Sequence, residues 1–343
     1  VLVDEMNEHN VSATANWNKS KPLTFLDPES PISWPRQKVL SQLVHDVRRD
    51  ELLEAMSNQS DKGLAKQSAS MFNSLQLPNA GVMARIIPIK ECFRVSSHLY
   101  RTMLCMRLQV DLPGSTGIEV CECGYGYGPY IRSGVHFISQ CPKHSYKSLA
   151  HHSAAECMRE SHKDAGMITH HHETANWFKG DPNLRPFDTI YKDDPTSIIW
   201  NVQDATIGDP SRIGRVRANQ KYIQLGAAGQ DRIDYKMTQH RDRLRTVGPL
   251  TQAVDFNPVA FEAGGGFTKS ASKWLDRVVE SKHKHDEKLP VGRRRKSFVW
   301  KSWTAMSWRA EQVQAISWEI NKCHALGALR GLRESRKKGL GLI

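Results

Sequence analysis

The chain reads as an α/β (α+β) protein, a small mixed sheet flanked by helices and preceded by a zinc knuckle and a helical N-terminal segment. Three observations predict it. From Ser148 onward the pattern runs helix, three short strand-like runs, long polar helix, strand, helix. Just before it, Cys121, Cys123, His136 and Cys141 fall in the spacing C-x-C-x12-H-x4-C, which can close around one tetrahedral Zn²⁺. And Glu173, Asp188 and Asp204 lie on or beside the short strands, a scatter of carboxylates suited to metal-assisted chemistry.

Taken in order, residues 1–34 are polar and aperiodic and predict an extended arm. Residues 35–80 predict helices: Val39, Leu40, Leu43, Val44, Val47, Leu52, Leu53 and Met56 recur at helical spacing behind Pro35, and a second helix covers Gly63 to Leu75. Residues 81–146 begin with a strand-turn piece and a linker helix, then enter the knuckle, where Gly124, Gly126, Gly128 and Gly134 give the loop its freedom.

Residues 147–285 form the carboxylate-bearing domain. A helix at 148–164 stops at Gly166, a left-handed cap. Strands are expected near 167–174, 187–192 and 197–207, then a helix at 224–246, the strand VAFE at 259–262 and a helix at 268–282. Residues 286–343 read as a basic, Trp-rich helical tail.

The formal net charge is +12, and residues 281–343, with 15 Lys/Arg against 5 Asp/Glu, carry +10 of it. A charge so placed expects a polyanion partner, DNA or RNA. Arg293, Arg294, Arg295 and Lys296 are the candidate phosphate contacts and also resemble a nuclear localisation signal, which favours a nuclear over a cytoplasmic setting. Trp300, Trp303, Trp308 and Trp318 either stack on bases or pack this helix onto the core. No apolar run approaches the ~20 residues of a membrane span. Seven cysteines, three of them inside the knuckle, suit a reducing compartment and metal binding. Cys92, Cys105, Cys157 and Cys323 read as buried thiols.

Hydrolysis of a phosphodiester needs carboxylates to hold Mg²⁺, a positioned water and a cation for the developing charge. Asp188 and Asp204, with fifteen residues between them, sit on two predicted strands that would share an edge. Glu173 offers a third oxygen. Glu262 reads as a supporting or structural carboxylate. His144, His151 and His152 are alternative zinc ligands, since eight of the fifteen histidines lie between 136 and 172.

The series resembles the restriction-enzyme-like endonuclease region that follows the reverse transcriptase of non-LTR retrotransposons, above all its protist and algal forms. The resemblance runs collinearly over about 81–285. It comprises RTMLCMRL (101–108), CECG with His136 and Cys141, His151-His152 where the family has Arg-His-Asn, Glu173, RPFD (185–188), DATIGDP (204–210), Lys236 and FNPVAFEAGGGF (256–267). It implies a PD-(D/E)xK fold over 147–285 that nicks DNA with Mg²⁺, a reverse transcriptase upstream, and residues 35–80 as its trailing segment. The start at Val1 agrees with a piece of a longer product.

The resemblance also assigns the catalytic cation. Thr206 stands where the usual motif places Lys, and Lys236 on the following helix takes that role, with His240 where the family has Tyr. The alternative is an inactive, domesticated descendant that binds nucleic acid or acts as a scaffold.

Overall fold

The computed structural model describes residues 62–87, 91–170, 187–193, 196–211, 224–247, 254–290, 305 and 307–340, together with 50, 51, 54 and 55. The chain divides into two units, Val1–Ala69 and Ser70–Ile343. In the first, Asp50, Glu51, Glu54 and Ala55 are helical, and helix α1 (Lys62–Leu75) begins there and ends in the second unit. The expected arm 1–34 and nearly all of the expected helix from Pro35 lie outside the described residues. Both candidate metal clusters belong to the second unit.

The strand expected after residue 81 is absent among the described residues there. Val82–Arg85 and Glu91–Phe93 are single 3₁₀ turns, closed by bonds such as Ala84 N to Gly81 O at 3.3 Å. A short apolar run such as GVMARII does not tell a buried turn from a strand by its period alone. Helix α2 (Ser97–Leu108) is capped by Ser96, whose hydroxyl accepts from Leu99 N, and ends at Gln109 in the left-handed region, φ 56°. Two one-turn helices, α3 (Gly128–Arg132) and α4 (Val135–Ser139), carry the second half of the knuckle.

Helix α5 (Lys147–Asp164) matches the expected span and turns at Gly166, φ 71°. Strands β1 (Ile168–His170), β2 (Thr189–Lys192) and β3 (Trp200–Gln203) form an antiparallel meander. Beyond Asp204 the chain continues as β4 (Ala205–Gly208). Helix α6 (Ala227–Val247) returns it to β5 (Val254–Phe256), parallel to β3, and β6 (Val259–Glu262), parallel to β4. The sheet order is β1-β2-β3-β5, with β4-β6 as a second ladder. Taking β3 and β4 as one broken strand, and β5 and β6 as another, the order αβββαβ among the described residues is that of a small mixed α/β sheet.

The two ladders are one parallel pair with a break. Asn257 N bonds Val202 O at 2.9 Å and Val259 N bonds Asp204 O at 3.1 Å. Pro258 stands opposite Asp204 with the register kept on either side, Val202 facing Phe256 and Ala205 facing Val259. The two ladders meet at Asp204.

Helix α7 (Lys269–Lys288) packs on β6 and α5. Helix α8 (Trp308–Gly339) lies within the region read from sequence as a basic tail, yet it packs along α5, α2 and α4. Trp318 is 2% exposed and meets the Phe93 ring edge-on, centroids 5.7 Å apart, so this tryptophan belongs to the core. Gly327 and Gly331 let α8 approach closely: a Cβ at Gly331 would overlap the Phe137 ring, and one at Gly327 would sit 2.9 Å from His144 O.

Candidate functional site

The knuckle folds as a turn followed by two one-turn helices. Cys121 N donates to Tyr125 O at 2.8 Å and Gly124 N to Cys121 O at 2.9 Å, which curls the CECG segment back on itself. Gly134, at φ 82°, reverses the chain into α4 and brings His136 and Cys141 over the loop. Leu112, Ile118, Ile131 and Phe137, with Ala328 and Leu332 of α8, form the apolar shell around the sulfurs.

The ligand atoms of Cys121, Cys123, His136 and Cys141 all lie within 4.8 Å of one another. Donors arranged tetrahedrally ~2.3 Å from a common zinc ion stand ~3.8 Å apart, and a sulfur–imidazole pair ~3.5 Å apart. Cys121 Sγ and Cys141 Sγ are 3.8 Å apart, and Cys123 Sγ is 3.3 Å from His136 Nε2. The four side chains are therefore grouped so that they could hold a zinc ion.

Their protonation agrees. Burial, then the nearby His144, bring the His136 pKa down to about 4, so its ring is neutral and free to ligate. Burial pushes the Cys121 thiol up to about 12 and raises Cys141 too, so in this apolar shell both hold their protons unless a cation compensates. His144, an alternative ligand in the sequence, is outside the group, its Nε2 paired with Glu122 Oε2 at 2.5 Å.

The second cluster forms at the break in the sheet. At the start of β2, Asp188 N bonds Gln203 O at 2.9 Å. Its carboxylate Oδ2 accepts from Ala205 N at 2.8 Å, the first amide past the break, and from His151 Nε2 at 3.0 Å. Asp204, only 3% exposed, meets Lys236 Nζ of α6 at 2.7 Å through Oδ2. Ligand atoms of His151, Asp188 and Asp204 lie within 4.8 Å of one another.

Two carboxylates so close do not ionise alike. Burial, then the charge of Asp188, push Asp204 up to about 6 against the pull of Lys236. Burial also disfavours the Asp188 anion, but the His151 bond and charge, with the Asp204 and Ala205 bonds, leave its pKa lowered. His151 is disfavoured as a cation by burial, and the Asp188 bond with the Asp188 and Asp204 charges nonetheless raises its pKa.

Of the candidates read from sequence, the structure brings together Asp188, Asp204 and Lys236 in one place and Cys121, Cys123, His136 and Cys141 in another. Glu173 and Arg293, Arg294, Arg295 and Lys296 lie outside the described residues. Glu262 is structural: it accepts from Gly229 N at 3.1 Å, holding the first turn of α6 against β6. His152 is turned away, its Nδ1 on Ser148 O at 2.5 Å. Cys323 is buried as expected, whereas Cys92 is exposed and Cys105 and Cys157 are half-buried.

Three contacts are absent from the sequence reading. His151 joins the carboxylates. Arg232 Nε donates to Thr206 Oγ1 at 3.2 Å, one turn before Lys236 on the same helix. Asp209 ties the end of β4 to the knuckle, accepting from Ser139 Oγ and, at 2.8 Å, from Ser211 N. The pair His151-His152 was a signal for the first, since a histidine early in α5 faces either the sheet or solvent. No helix among the described residues is long and apolar enough to cross a membrane.

No family model, no curated protein and no solved structure matches this chain.

Proposed function

We propose that residues 147–285 are a metal-dependent endonuclease of the PD-(D/E)xK type, which nicks DNA by hydrolysing a phosphodiester, and that the Cys/His cluster is its structural zinc module. The reading places the chain beside the endonucleases that follow the reverse transcriptase of non-LTR retrotransposons. One observation carries it. Asp188 and Asp204 come from neighbouring strands to a single break in the sheet, and Lys236 reaches the same point from α6, Nζ 2.7 Å from Asp204 Oδ2. The αβββαβ order supports it, as does the burial of Asp204 beside a second carboxylate, an arrangement costly to keep without a use.

Asp188 and Asp204 are the residues that would hold a divalent ion, Mg²⁺ on the resemblance, and two carboxylates suffice because Mg²⁺ keeps several waters. When bound, such an ion supplies charge neutralisation at the phosphate and a more acidic water. The chain supplies the rest. Asp188 is fixed by Ala205 N and His151, so its carboxylate is oriented before substrate arrives. Lys236 Nζ is placed to meet the extra negative charge on the phosphoryl oxygens as water adds to phosphorus and the bond to the leaving sugar oxygen breaks. Thr206 is held by Arg232, which leaves the lysine role to Lys236.

The test is a supercoiled-plasmid nicking assay with Mg²⁺ and, separately, Mn²⁺, the parent beside the Asp188→Ala/Asp204→Ala double variant. Nicking by the parent alone supports the nuclease and its carboxylate pair together. Nicking by both removes the site assignment. DNA binding without nicking by either favours a catalytically inactive descendant that binds nucleic acid.

A further inference from the structure

We infer that His151 is a third protein ligand of the carboxylate site, and that the ion this site selects is Mn²⁺ over Mg²⁺. The inference rests on the nuclease reading for its biological meaning, but its chemistry stands on the cluster alone.

The geometry is that of adjacent ligands. Two donors at right angles, each ~2.1 Å from an octahedral ion, are ~3.0 Å apart. His151 Nε2 and Asp188 Oδ2 are 3.0 Å apart, and an Asp204 oxygen completes a group within 4.8 Å. The same nitrogen donates a proton to Asp188, so a hydrogen bond and an ion compete for one pair of atoms. The imidazole is not a mobile surface group. It sits early in α5, three-quarters buried, with its edge toward both carboxylates.

The donor set decides the metal. Mg²⁺ takes oxygen ligands and binds imidazole poorly, whereas later first-row divalent ions accept nitrogen readily. Among these, Mn²⁺ shares with Mg²⁺ the octahedral, carboxylate- and water-rich coordination that two aspartates offer. One imidazole added to two carboxylates therefore moves the preference toward Mn²⁺. It does not create a zinc site of the knuckle's kind, which is built on thiolates.

The experiment uses the full chain with its cysteine cluster loaded with zinc, and Mn²⁺ alone as the probe. Loss of the free-ion signal in electron paramagnetic resonance gives the affinity, and pulsed measurements give the coupling of the bound ion to nitrogen. The parent is expected to bind one Mn²⁺ at this site with a directly bound nitrogen, and to bind Mg²⁺ at least roughly ten-fold more weakly in competition. His151→Ala is expected to abolish the nitrogen coupling and to weaken Mn²⁺ by roughly ten-fold or more, and Mg²⁺ by less. His152→Ala, on the neighbouring ring, is expected to change neither.

A parent without nitrogen coupling, a coupling that survives His151→Ala, or equal affinity for both ions would overturn the inference. The nuclease reading fails separately, if the double aspartate variant nicks as well as the parent. Mn²⁺ bound through His151 by a chain that does not nick would keep the metal site and discard the enzyme.

Discussion

Gly208, at the end of β4, is where the sheet and the helix carrying Lys236 come closest. A Cβ there would lie 2.6 Å from Ala228 C, 2.6 Å from Gly229 N and 2.7 Å from Ala228 O, all backbone atoms of the first turn of α6. Ordinary contact begins at 3.4 Å, so Gly208→Ala requires the start of α6 to retreat by about 0.8 Å. Overpacking of this kind costs about 1–3 kcal/mol. The reduced freedom of the unfolded chain returns about 0.4–1 kcal/mol, because Gly208 is not in the left-handed region and alanine adopts its backbone freely. The net expectation is about 1–2 kcal/mol of destabilisation, roughly 2–8 °C in melting temperature for a domain of this size.

The same shift reaches the site. Lys236 lies nine residues along α6 from Ala227, ~14 Å of rigid helix. A displacement near 1 Å at a positioned catalytic group costs on the order of 10²-fold in rate. The assay is thermal unfolding of Gly208→Ala and plasmid nicking at a temperature where the variant remains folded. Gly126→Ala is the control, since nothing lies within 4 Å of its Cβ position. A Gly208→Ala protein that melts with the parent would refute the close approach of strand and helix. One that melts lower but nicks at the parental rate would refute the positioning of Lys236 by that approach.

The purified chain is expected to hold one zinc, measured by elemental analysis, and Cys141→Ser or His136→Ala to lose it, because each removes one of the four clustered donors. Burial holds His162 neutral with a pKa down at about 3 and His324 at about 4, while an unfolded imidazole takes its proton near 6.5. The folded state binds fewer protons, so their contribution is intact above pH ~6.5 and is lost as pH falls, by about 2 kcal/mol for each at pH 5. Urea unfolding across pH 5–7 measures this slope, and His162→Gln, which keeps an acceptor for Trp274 Nε1, should remove its share, about 2 kcal/mol at pH 5. Glu262→Gln keeps an oxygen for Gly229 N and should cost under about 1 kcal/mol, whereas Glu262→Leu leaves that amide unpaired and should cost about 1–3 kcal/mol by the same unfolding measurement.

Which parts of this architecture can be read from the chain depends on how local their causes are. The helices α5, α6 and α7 announce themselves by period and by Gly166, and the knuckle by four residues within one loop. The break at Asp204 does not, because it lies between two ladders whose partner strands are far apart along the chain. Strand β5, three residues in AVDFNP, is too short to show an alternation. The tryptophans of the basic helical tail left packing on the core open, and the small residues Gly327 and Gly331 that let α8 seat against Phe137 and His144 look, in sequence, like defects in a helix. Asp188 and Asp204 were legible as candidates on strands sharing an edge, and the register Thr189 to Gln203 between β2 and β3 is what brings them together.

The two clusters are also mechanically joined. Cys141 Sγ accepts from His144 N at 3.3 Å and Cys141 O from Ser145 N at 3.2 Å, so the last knuckle ligand sets the backbone that enters α5. The bond from Ala150 N to Tyr146 O at 2.8 Å closes the first turn of that helix immediately before His151. Freeing Cys141 therefore loosens the start of α5 and, through it, the imidazole that holds Asp188 at the sheet break. Stripping zinc with a chelator should lower amide-exchange protection at Ala150 and His151 while leaving that of Met158 in the helix middle within a few-fold of the loaded protein. The β3–β5 ladder serves as the internal reference. Unchanged protection at the start of α5 after complete zinc loss would show that α8, seated on His144 and Tyr146 through Gly327, holds this turn by packing alone, and that the carboxylate site owes nothing to the metal.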